Sequence, residues 1–277
     1  MILLTAAESR ELDRLSQEKY GVDSYALMTR AGEAVADKLI ERFPDASRAG
    51  VLAVAGKGNN GGDAMVAARR RIERGVKVRV ALLGWGGDLK GDALRAHDEL
   101  VGAGGVIVQT PDESDLEAAY GTRPGAIVDG IFGTGLNAPV RGVARAAIER
   151  MNAIGAPIVA VDIASGVDSD SGAIMGVAVR AALTVTFGYA KFGHVSYPGA
   201  ERCAELAIAE IGFAAEAIRE IAPRGRFYQA ADAREYLKPR AVDANKGNFG
   251  HPIIIAGSRG KSGAAILASR AALRAGA

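Results

Sequence analysis

Three aspartates in glycine-rich surroundings are the residues of this sequence best suited to chemistry. Asp63 ends the run GKGNNGGD, Asp129 opens the run DGIFGTGLNAP, and Asp162 ends the apolar run PIVAVD. Glycine lets a ligand approach the backbone closely, and a carboxylate can exchange a proton or bind a cation. A single aspartate more often caps a helix or a turn. Three of them at one edge of a sheet would favour a site instead.

The run GKGNNGGD also stands where an anion site would form. It follows the apolar run Val51–Ala55, which predicts a buried strand, and it precedes Ala64–Arg74, which is rich in alanine and arginine and predicts a helix. Free N–H groups and the helix dipole at such an N-terminus attract phosphate. Gly56, Gly58 and Gly61 match the dinucleotide pattern G-x-G-x-x-G, which is a weak signal by itself.

The strand after this loop disfavours a dehydrogenase. An NAD-dependent dehydrogenase carries an acid near the end of that strand to hold a ribose. Here Val76–Leu83 runs into the sequence GWGG, and no acid stands at its tip. The polar residues Asn59, Asn60 and Asp63 indicate contacts with a sugar, an amide or a cation, unless they only cap the following helix.

Apolar runs alternate with helical stretches, and this order predicts the scaffold. Two N-terminal helices are predicted, one up to Lys19 and one from Asp23 or Ser24 to Phe43. Further helices are predicted at Asp92–Val101, Ser114–Tyr120 and Val143–Asn152. Further strands are predicted at Val106–Gln109, Ala126–Asp129, Pro157–Asp162, Leu183–Phe187 and Leu206–Ala209. We therefore expect a Rossmann-like three-layer α/β/α sandwich with a mostly parallel, doubly wound sheet, whose ligands bind beyond the carboxyl ends of its strands.

Composition excludes several classes of protein. A net charge of +2 with scattered lysines and arginines argues against nucleic acid and anionic membrane as partners. The single cysteine, Cys203, excludes an intramolecular disulfide framework and fits a reducing cytosol. The sequence has no signal peptide and no apolar run long enough to cross a bilayer, so we predict a cytoplasmic protein.

Several motifs resemble the YjeF N-terminal domain family, the NAD(P)H-hydrate epimerases. The matching segments are ALMTRAG, GKGNNGGDAMVAAR, DGIFGTGL, VDIASG and TVTFGYAK, in the family's order over most of residues 1–215. Lys57 and Ala64 stand where the family usually has proline and glycine, and Ala164 replaces the proline of D-x-P-S-G.

The resemblance implies an enzyme that interconverts the R and S forms of hydrated NADH and NADPH. It implies a potassium ion held by Asn60, Asp129 and Ser165. It implies substrate contacts from Asn59, Asn60, Gly61, Gly62, Asp63, Gly133, Thr134, Gly135, Leu136, Asn137, Ala138, Pro139 and Asp162. A homodimer is also expected of the family.

We interpret Asp162 as the catalytic acid or base. Lys191 matches the lysine of the family and would assist it electrostatically, by pairing with Asp162, or would bind phosphate. His194 is interpreted as an exposed loop residue without a catalytic role.

The C-terminal part of the sequence has a different character. Residues 216–240 predict a helical linker, and residues 241–277 predict one strand, a glycine loop and the helix Ser262–Arg274. This tail resembles the opening of the ribokinase-like NAD(P)H-hydrate dehydratase domain, which uses ADP or ATP. Because one strand and one helix cannot bury their own apolar faces, we expect the natural chain to continue beyond Ala277.

Other functions stay open from the sequence. The parent protein could act mainly as the ADP- or ATP-dependent dehydratase. The domain could instead be a non-catalytic module that binds a dinucleotide or a protein partner. An NAD-dependent dehydrogenase ranks last, because the acid for the ribose is missing.

Overall fold

The computed structural model describes residues 1–236, 239 and 241–276. The chain divides into two compact units, Met1–Phe227 and Tyr228–Ala277. Among the described residues, no helix combines the length and the apolar character that crossing a membrane requires.

The strands of the first unit are short, and most are predominantly apolar. They are β1 (Ile2–Leu4), β2 (Val51–Ala55), β3 (Val78–Leu82), β4 (Val106–Gln109), β5 (Ala126–Gly130), β6 (Ile158–Val161), β7 (Leu183–Phe187), β8 (Ala190–Lys191), β9 (Glu205–Ala209) and β10 (Gly225–Arg226). Its helices are α1 (Ala6–Arg14), which continues as one π-helical turn, α2 (Ser24–Arg42), α3 (Pro44–Arg48), α4 (Asn59–Glu73), α5 (Gly91–Gly102), α6 (Leu116–Tyr120), α7 (Gly142–Ile154), α8 (Gly199–Cys203) and α9 (Ala215–Ile221).

Seven of these strands form one parallel sheet in the order β4-β3-β2-β5-β6-β7-β9. The order reverses at β2, so β3 lies on one side of it and β5 on the other. This is the doubly wound arrangement, and its crevice lies beyond the carboxyl ends of β2 and β5. The predicted Rossmann-like fold class is confirmed.

Alternating side chains of each strand pack on opposite faces of the sheet. In β2, Val51, Ala53 and Ala55 join the core beneath α2, α4 and α5, whereas Leu52 and Val54 join the core beneath α6 and α7. Both faces are covered by helices, so most of the strand residues are apolar. The result is the predicted three-layer sandwich.

Helices α2 and α4 cross at unusually close range. A Cβ on Gly32 of α2 would lie 2.5 Å from the Cβ of Val66 on α4, so only glycine fits this crossing. The contact fixes α4, whose N-terminus faces the crevice.

A second, three-stranded sheet has the order β10-β1-β8. Strand β1 pairs in parallel with β8, Leu4 lying opposite Lys191, and in antiparallel with β10. The sequence analysis missed β1. The first compact unit extends through α9 and β10, to Phe227.

The second unit contains α10 (Ala230–Tyr236) and α11 (Gly263–Ala275). The strand predicted before Gly257 is wrong: residues 251–257 form no strand, and Ile253 and Ile255 are 87% and 95% exposed. These residues find no partner strand within the described residues, and a strand needs one to satisfy its backbone.

Candidate active site

A cavity of about 870 Å³ lies beyond the carboxyl ends of the parallel strands. Loops that follow β2, β3, β4, β5 and β6 line it together with β7 and residues of α1 and α2. The position agrees with the general rule for ligand sites of doubly wound sheets.

Asp162 and Lys191 form a buried ion pair on one wall of this cavity. Lys191 Nζ lies 2.6 Å from Asp162 Oδ1, and the two side chains are only 5% and 13% exposed. Thr186 Oγ1 accepts a hydrogen bond from Lys191 Nζ at 2.7 Å and donates one to Asp162 Oδ1 at 3.0 Å. Burial raises the pKa of Asp162, but the charge and the hydrogen bond of Lys191, with smaller effects from His194 and Thr186, together hold that pKa below the ordinary value. Asp162 is therefore a carboxylate at neutral pH.

The backbone of Asp162 has a left-handed conformation, with φ of +64°. Aspartate and asparagine tolerate this region better than other residues with a Cβ. The turn follows directly on β6, so it aims the side chain at the end of the sheet.

His194 is not the exposed loop residue that the sequence predicted. It is 6% exposed and lies in the 3₁₀ turn Phe192–His194. The N–H of Lys191 donates to Nδ1 at 2.9 Å, so the neutral ring carries its proton on Nε2 and donates it to the carbonyl of Asp162, also at 2.9 Å. Burial, reinforced by Lys191, lowers the pKa of His194 to about 4, so the ring is a neutral brace that holds Lys191 and Asp162 together.

Asp13 of α1 faces the ion pair from another wall, and the sequence analysis missed it. Its carboxyl is open to the cavity although protein surrounds it. This partial burial, and then the charge of Asp162, raise the pKa of Asp13 to about 6, while Lys191 acts against the shift. The sequence signal was weak, because an aspartate on a polar helix usually faces water.

The run Asn59–Asp63 lies within helix α4, and the prediction that this helix begins at Ala64 is wrong. Gly61 allows the earlier start, since a Cβ there would lie 1.9 Å from the carbonyl oxygen of Gly56. Of the predicted substrate contacts in this run, Asn59, Asn60 and Asp63 line the cavity. Gly61 and Gly62 do not line it.

Asp63 is 9% exposed, and its pKa is raised well above the ordinary value, first by burial and then by Asp162. No protein group donates a hydrogen bond to its side chain among the described residues, so its free oxygens face the cavity.

The second glycine-rich loop reaches the cavity with its first half. Gly133, Thr134, Gly135 and Leu136 line it. Asn137, Ala138 and Pro139 do not line it; they lead into the segment where the N–H of Val140 donates to the carbonyl of Met175.

Asp129 is fully buried at the end of β5 and does not line the cavity. Its oxygens accept hydrogen bonds from Ser165 Oγ at 2.6 Å, from the Ser165 N–H at 2.9 Å and from the Ile131 N–H at 3.3 Å. Within the described residues it pairs with no lysine, arginine or histidine. Burial raises its pKa to about 6, against the effect of Ser165.

Asn60 packs against the same loop, because its Oδ1 would lie 3.1 Å from a Cβ at Gly133. Its Nδ2 is buried and has no hydrogen-bond partner within the described part of the chain. Among the described residues, no group of three or more His, Cys, Asp and Glu side chains is suited to hold a metal ion. One carboxylate, one hydroxyl and one amide form an oxygen set that fits a hard cation better than a soft metal, without selecting among potassium, sodium and magnesium.

Comparisons with known proteins identify the family of this chain. The family model described as YjeF-related protein N-terminus matches residues 24–193, from α2 to the turn after Lys191. The chain belongs to this family of YjeF-related proteins. The resemblance of the glycine-loop and strand-end motifs is thereby confirmed.

Two kinds of relative share this family's domain. The bifunctional NAD(P)H-hydrate repair enzyme Nnr of Thermofilum pendens is 38% identical over 278 residues, which cover 100% of this chain and 52% of the relative. The NAD(P)H-hydrate epimerase of Limosilactobacillus fermentum is 37% identical over 209 residues, which cover 75% of this chain and 95% of the relative. The chain thus spans about half the length of the bifunctional relative.

A solved structure shows the same fold. The crystal structure of yeast ynu0 (YNL200c) matches with a TM-score of 0.68 at 22% identity and covers 84% of this chain and 98% of its own. At this identity the likeness concerns architecture alone.

Proposed function

We propose that residues 1–215 form an NAD(P)H-hydrate epimerase domain, an isomerase that interconverts the R and S forms of hydrated NADH and NADPH. One observation carries the proposal: the Asp162–Lys191 ion pair opens into a cavity that also receives the N-terminus of α4. The relationship to the L. fermentum epimerase over 75% of the chain supports the same activity.

The chemistry suits this pair. The substrate carries a hydroxyl group on C6 of the nicotinamide ring, next to the ring nitrogen. At such a carbon, either the bond to the ring nitrogen can break, which opens the ring, or the hydroxyl can leave as hydroxide. When the ring closes or hydroxide returns, the hydroxyl can end on the other face of the ring. Both routes need a group that takes and returns a proton, and Asp162 is our candidate because its carboxylate faces the cavity. Lys191 would stabilise and position that carboxylate.

The rest of the dinucleotide would lie along the cavity. The free N–H groups at the start of α4 would hold its phosphates. Asn59, Asn60, Asp63 and the loop 133–136 would contact the substrate, and their position in the cavity wall supports this role. Gly61 and Gly62 would contribute by letting α4 start close to the phosphates. Residues 137–139 would contribute by fixing the far end of the second glycine-rich loop.

We further propose that Asn60, Asp129 and Ser165 hold a potassium ion. A fully buried carboxylate without a cationic partner among the described residues supports a bound cation. The carbonyl oxygen of the Asn60 side chain, not its NH₂ group, would be the amide ligand. The ion would supply the positive charge that this part of the site lacks and would order the two glycine-rich loops. A homodimer and a cytoplasmic location belong to the same proposal.

The test starts from the pure R form of hydrated NADH, in buffers with and without potassium, with the products separated by chromatography. We expect the protein to speed formation of the S form, and potassium to speed it further. Asp162→Asn should slow turnover by about 10²–10⁴-fold, the usual contribution of a positioned acid or base. Asparagine is the matched change, because it tolerates the left-handed backbone at this position.

Asp45→Asn is the control, because Asp45 is exposed and does not line the cavity. Equal turnover by the two variants would remove Asp162 from the mechanism. Binding of dinucleotide without turnover, and without any effect of potassium, would instead indicate a binding module.

A second activity would belong to a longer parent protein. We propose that residues 241–277 begin a ribokinase-like NAD(P)H-hydrate dehydratase domain that uses ADP or ATP. The match to the bifunctional enzyme of T. pendens extends over the whole chain, which supports this proposal. A dehydratase assay on the full-length parent, with ADP and with ATP, tests it; no nucleotide-dependent dehydration by that protein would contradict it.

A further inference from the structure

The cavity extends well beyond the ion pair, along the carboxyl edge of the sheet. Asp162 follows β6, the glycine loop follows β2, and Trp85 and Asp88 follow β3. In the sheet order, β6 and β3 lie on opposite sides of β2 and are three strand spacings apart. At about 4.8 Å per spacing, their tips are roughly 14 Å apart.

This order fixes the direction of a bound dinucleotide, provided that the proposed function is correct. With its nicotinamide end at Asp162 and its phosphates at the start of α4, the adenosine half must lie over the end of β3. Dinucleotide-binding sheets in general hold this ribose at the end of the strand that follows the glycine loop.

The end of β3 offers an aromatic surface. Trp85 is the single tryptophan of the chain and is 57% exposed, although it lines the cavity. Its loop is anchored, because the N–H of Gly86 donates to Gln109 Oε1 at 2.9 Å. An exposed indole on an anchored loop can stack on a base at little entropic cost.

The same loop also supplies an acid, contrary to the expectation from the sequence. Asp88 lines the cavity from the 3₁₀ turn Gly86–Asp88. Lys57 Nζ lies 3.2 Å from Asp88 Oδ2. Gly84 makes room for this contact, because a Cβ there would lie 2.8 Å from Lys57 Cδ.

We propose that Trp85 and Asp88 form an adenosine subsite, in which the indole stacks on adenine and the Asp88 carboxylate accepts hydrogen bonds from the ribose hydroxyls. The subsite favours hydrated NADH over hydrated NADPH, because a 2′-phosphate would meet the Asp88 carboxylate. Lys57 opposes this preference, since its ammonium group attracts the same phosphate. Removing Asp88 or Lys57 therefore shifts the preference in opposite directions.

The kinetic test compares hydrated NADH, hydrated NADPH and hydrated nicotinamide mononucleotide, which lacks adenosine. Trp85→Ala should raise KM for hydrated NADH about tenfold, the loss of one base stack, with the effect confined to the dinucleotides. Trp85→Phe should restore most of the loss. An equal effect on the mononucleotide would overturn the stacking role, and so would no effect on any substrate.

The preference is tested by the ratio of kcat/KM for hydrated NADH to that for hydrated NADPH. Asp88→Asn should shift the ratio towards hydrated NADPH by about tenfold, the lower range for a hydrogen bond to a charged group. Lys57→Met should shift it the other way. An unchanged ratio in Asp88→Asn would overturn the role of this carboxylate.

A binding measurement separates this subsite from the proposed reaction. Trp85 fluorescence reports the subsite directly in the full chain, and 5′-AMP should quench it at lower concentration than 2′,5′-ADP. Asp88→Asn should reverse that order. Quenching by 5′-AMP without epimerisation would support the adenosine subsite and refute the epimerase activity. Epimerisation without any quenching would support the activity and refute the subsite.

Discussion

Replacing Lys191 by methionine should destabilise the fold strongly, because it leaves the Asp162 carboxylate buried without its cation. The ammonium group is 2.6 Å from the carboxylate, and water reaches little of either side chain. Breaking a buried pair from one side costs about 3–5 kcal/mol. We expect a loss of this size in the free energy of unfolding at pH 7.

The pH dependence of the loss follows from the pKa of Asp162. In the native protein this pKa lies below the ordinary value of 3.8, so its contribution to stability is present above that value and disappears as the pH falls through the folded pKa. In Lys191→Met, the strongest effect that opposes burial is lost, so burial raises the pKa of Asp162 although Thr186 still donates a hydrogen bond to the carboxylate. The variant's deficit should therefore be largest near pH 7 and should shrink as the pH approaches 4.

The assay is urea denaturation followed by the fluorescence of Trp85, the single tryptophan, which reports the unit Met1–Phe227. Lys38→Met is the matched control: Lys38 Nζ lies 2.6 Å from Glu41 Oε2, but these side chains are 36% and 51% exposed. Such a surface pair contributes about 1 kcal/mol or less.

The double variant Lys191→Met, Asp162→Asn should recover part of the loss, because it removes the unpaired charge. If Lys191→Met cost no more than Lys38→Met, the buried pair would not be ionised in the folded protein, and the electrostatic account of the site would be refuted.

The remaining predictions concern packing and charge. Gly32→Ala should lower the free energy of unfolding by about 1–3 kcal/mol, since its Cβ would lie 2.5 Å from a side chain of α4, whereas Gly102→Ala, with open space around it, should be neutral or stabilising in the same urea assay. The raised pKa of Asp13 means that ionising this residue destabilises the native protein as the pH rises from 4 to 7. The free energy of unfolding of Asp13→Asn should therefore increase relative to that of the native protein over this range. A difference that stays constant with pH would contradict this. Ser165→Ala removes the hydroxyl that accepts a hydrogen bond from the N–H of Phe132 and donates to Asp129 Oδ1, with the carbonyl oxygen of Phe132 also within 3.2 Å. The change should cost about 1–3 kcal/mol and weaken the response of turnover to potassium; an unchanged potassium response would contradict the proposed site.

The sheet was predictable because its strands are short, predominantly apolar runs, and the central ones are buried on both faces. The bounds of Val51–Ala55, Val106–Gln109 and Leu183–Phe187 were predicted correctly, and the others differ by at most two residues. The positions of these strands depend on local apolar runs and on the turn residues that flank them, and both can be read from one sequence. The family's motifs indicated Asp162 and Lys191, with pairing to Asp162 or binding of phosphate as the two roles of the lysine; the structure contains the pair.

The errors share a cause, which is dependence on distant contacts. Helix α4 starts at Asn59 because Gly61 fits against the carbonyl of Gly56, and propensity alone disfavours asparagine and glycine there. His194 is buried because the turn after Lys191 folds it onto Asp162. Asp88 was overlooked because it reaches the strand end only through the turn of its loop.

The pairing of β1 with β8 has a consequence for synthesis on the ribosome. Leu4 lies opposite Lys191, so the first strand of the chain lacks its parallel partner until 187 further residues have been made. At about 5–20 residues per second, this wait lasts roughly 10–40 s. During that time both edges of the strand Ile2–Leu4 are unpaired. Because the strand is only three residues long, the risk that it pairs with another chain is small. The wall of the cavity that carries Lys191 therefore closes late, after most of the parallel sheet has left the ribosome.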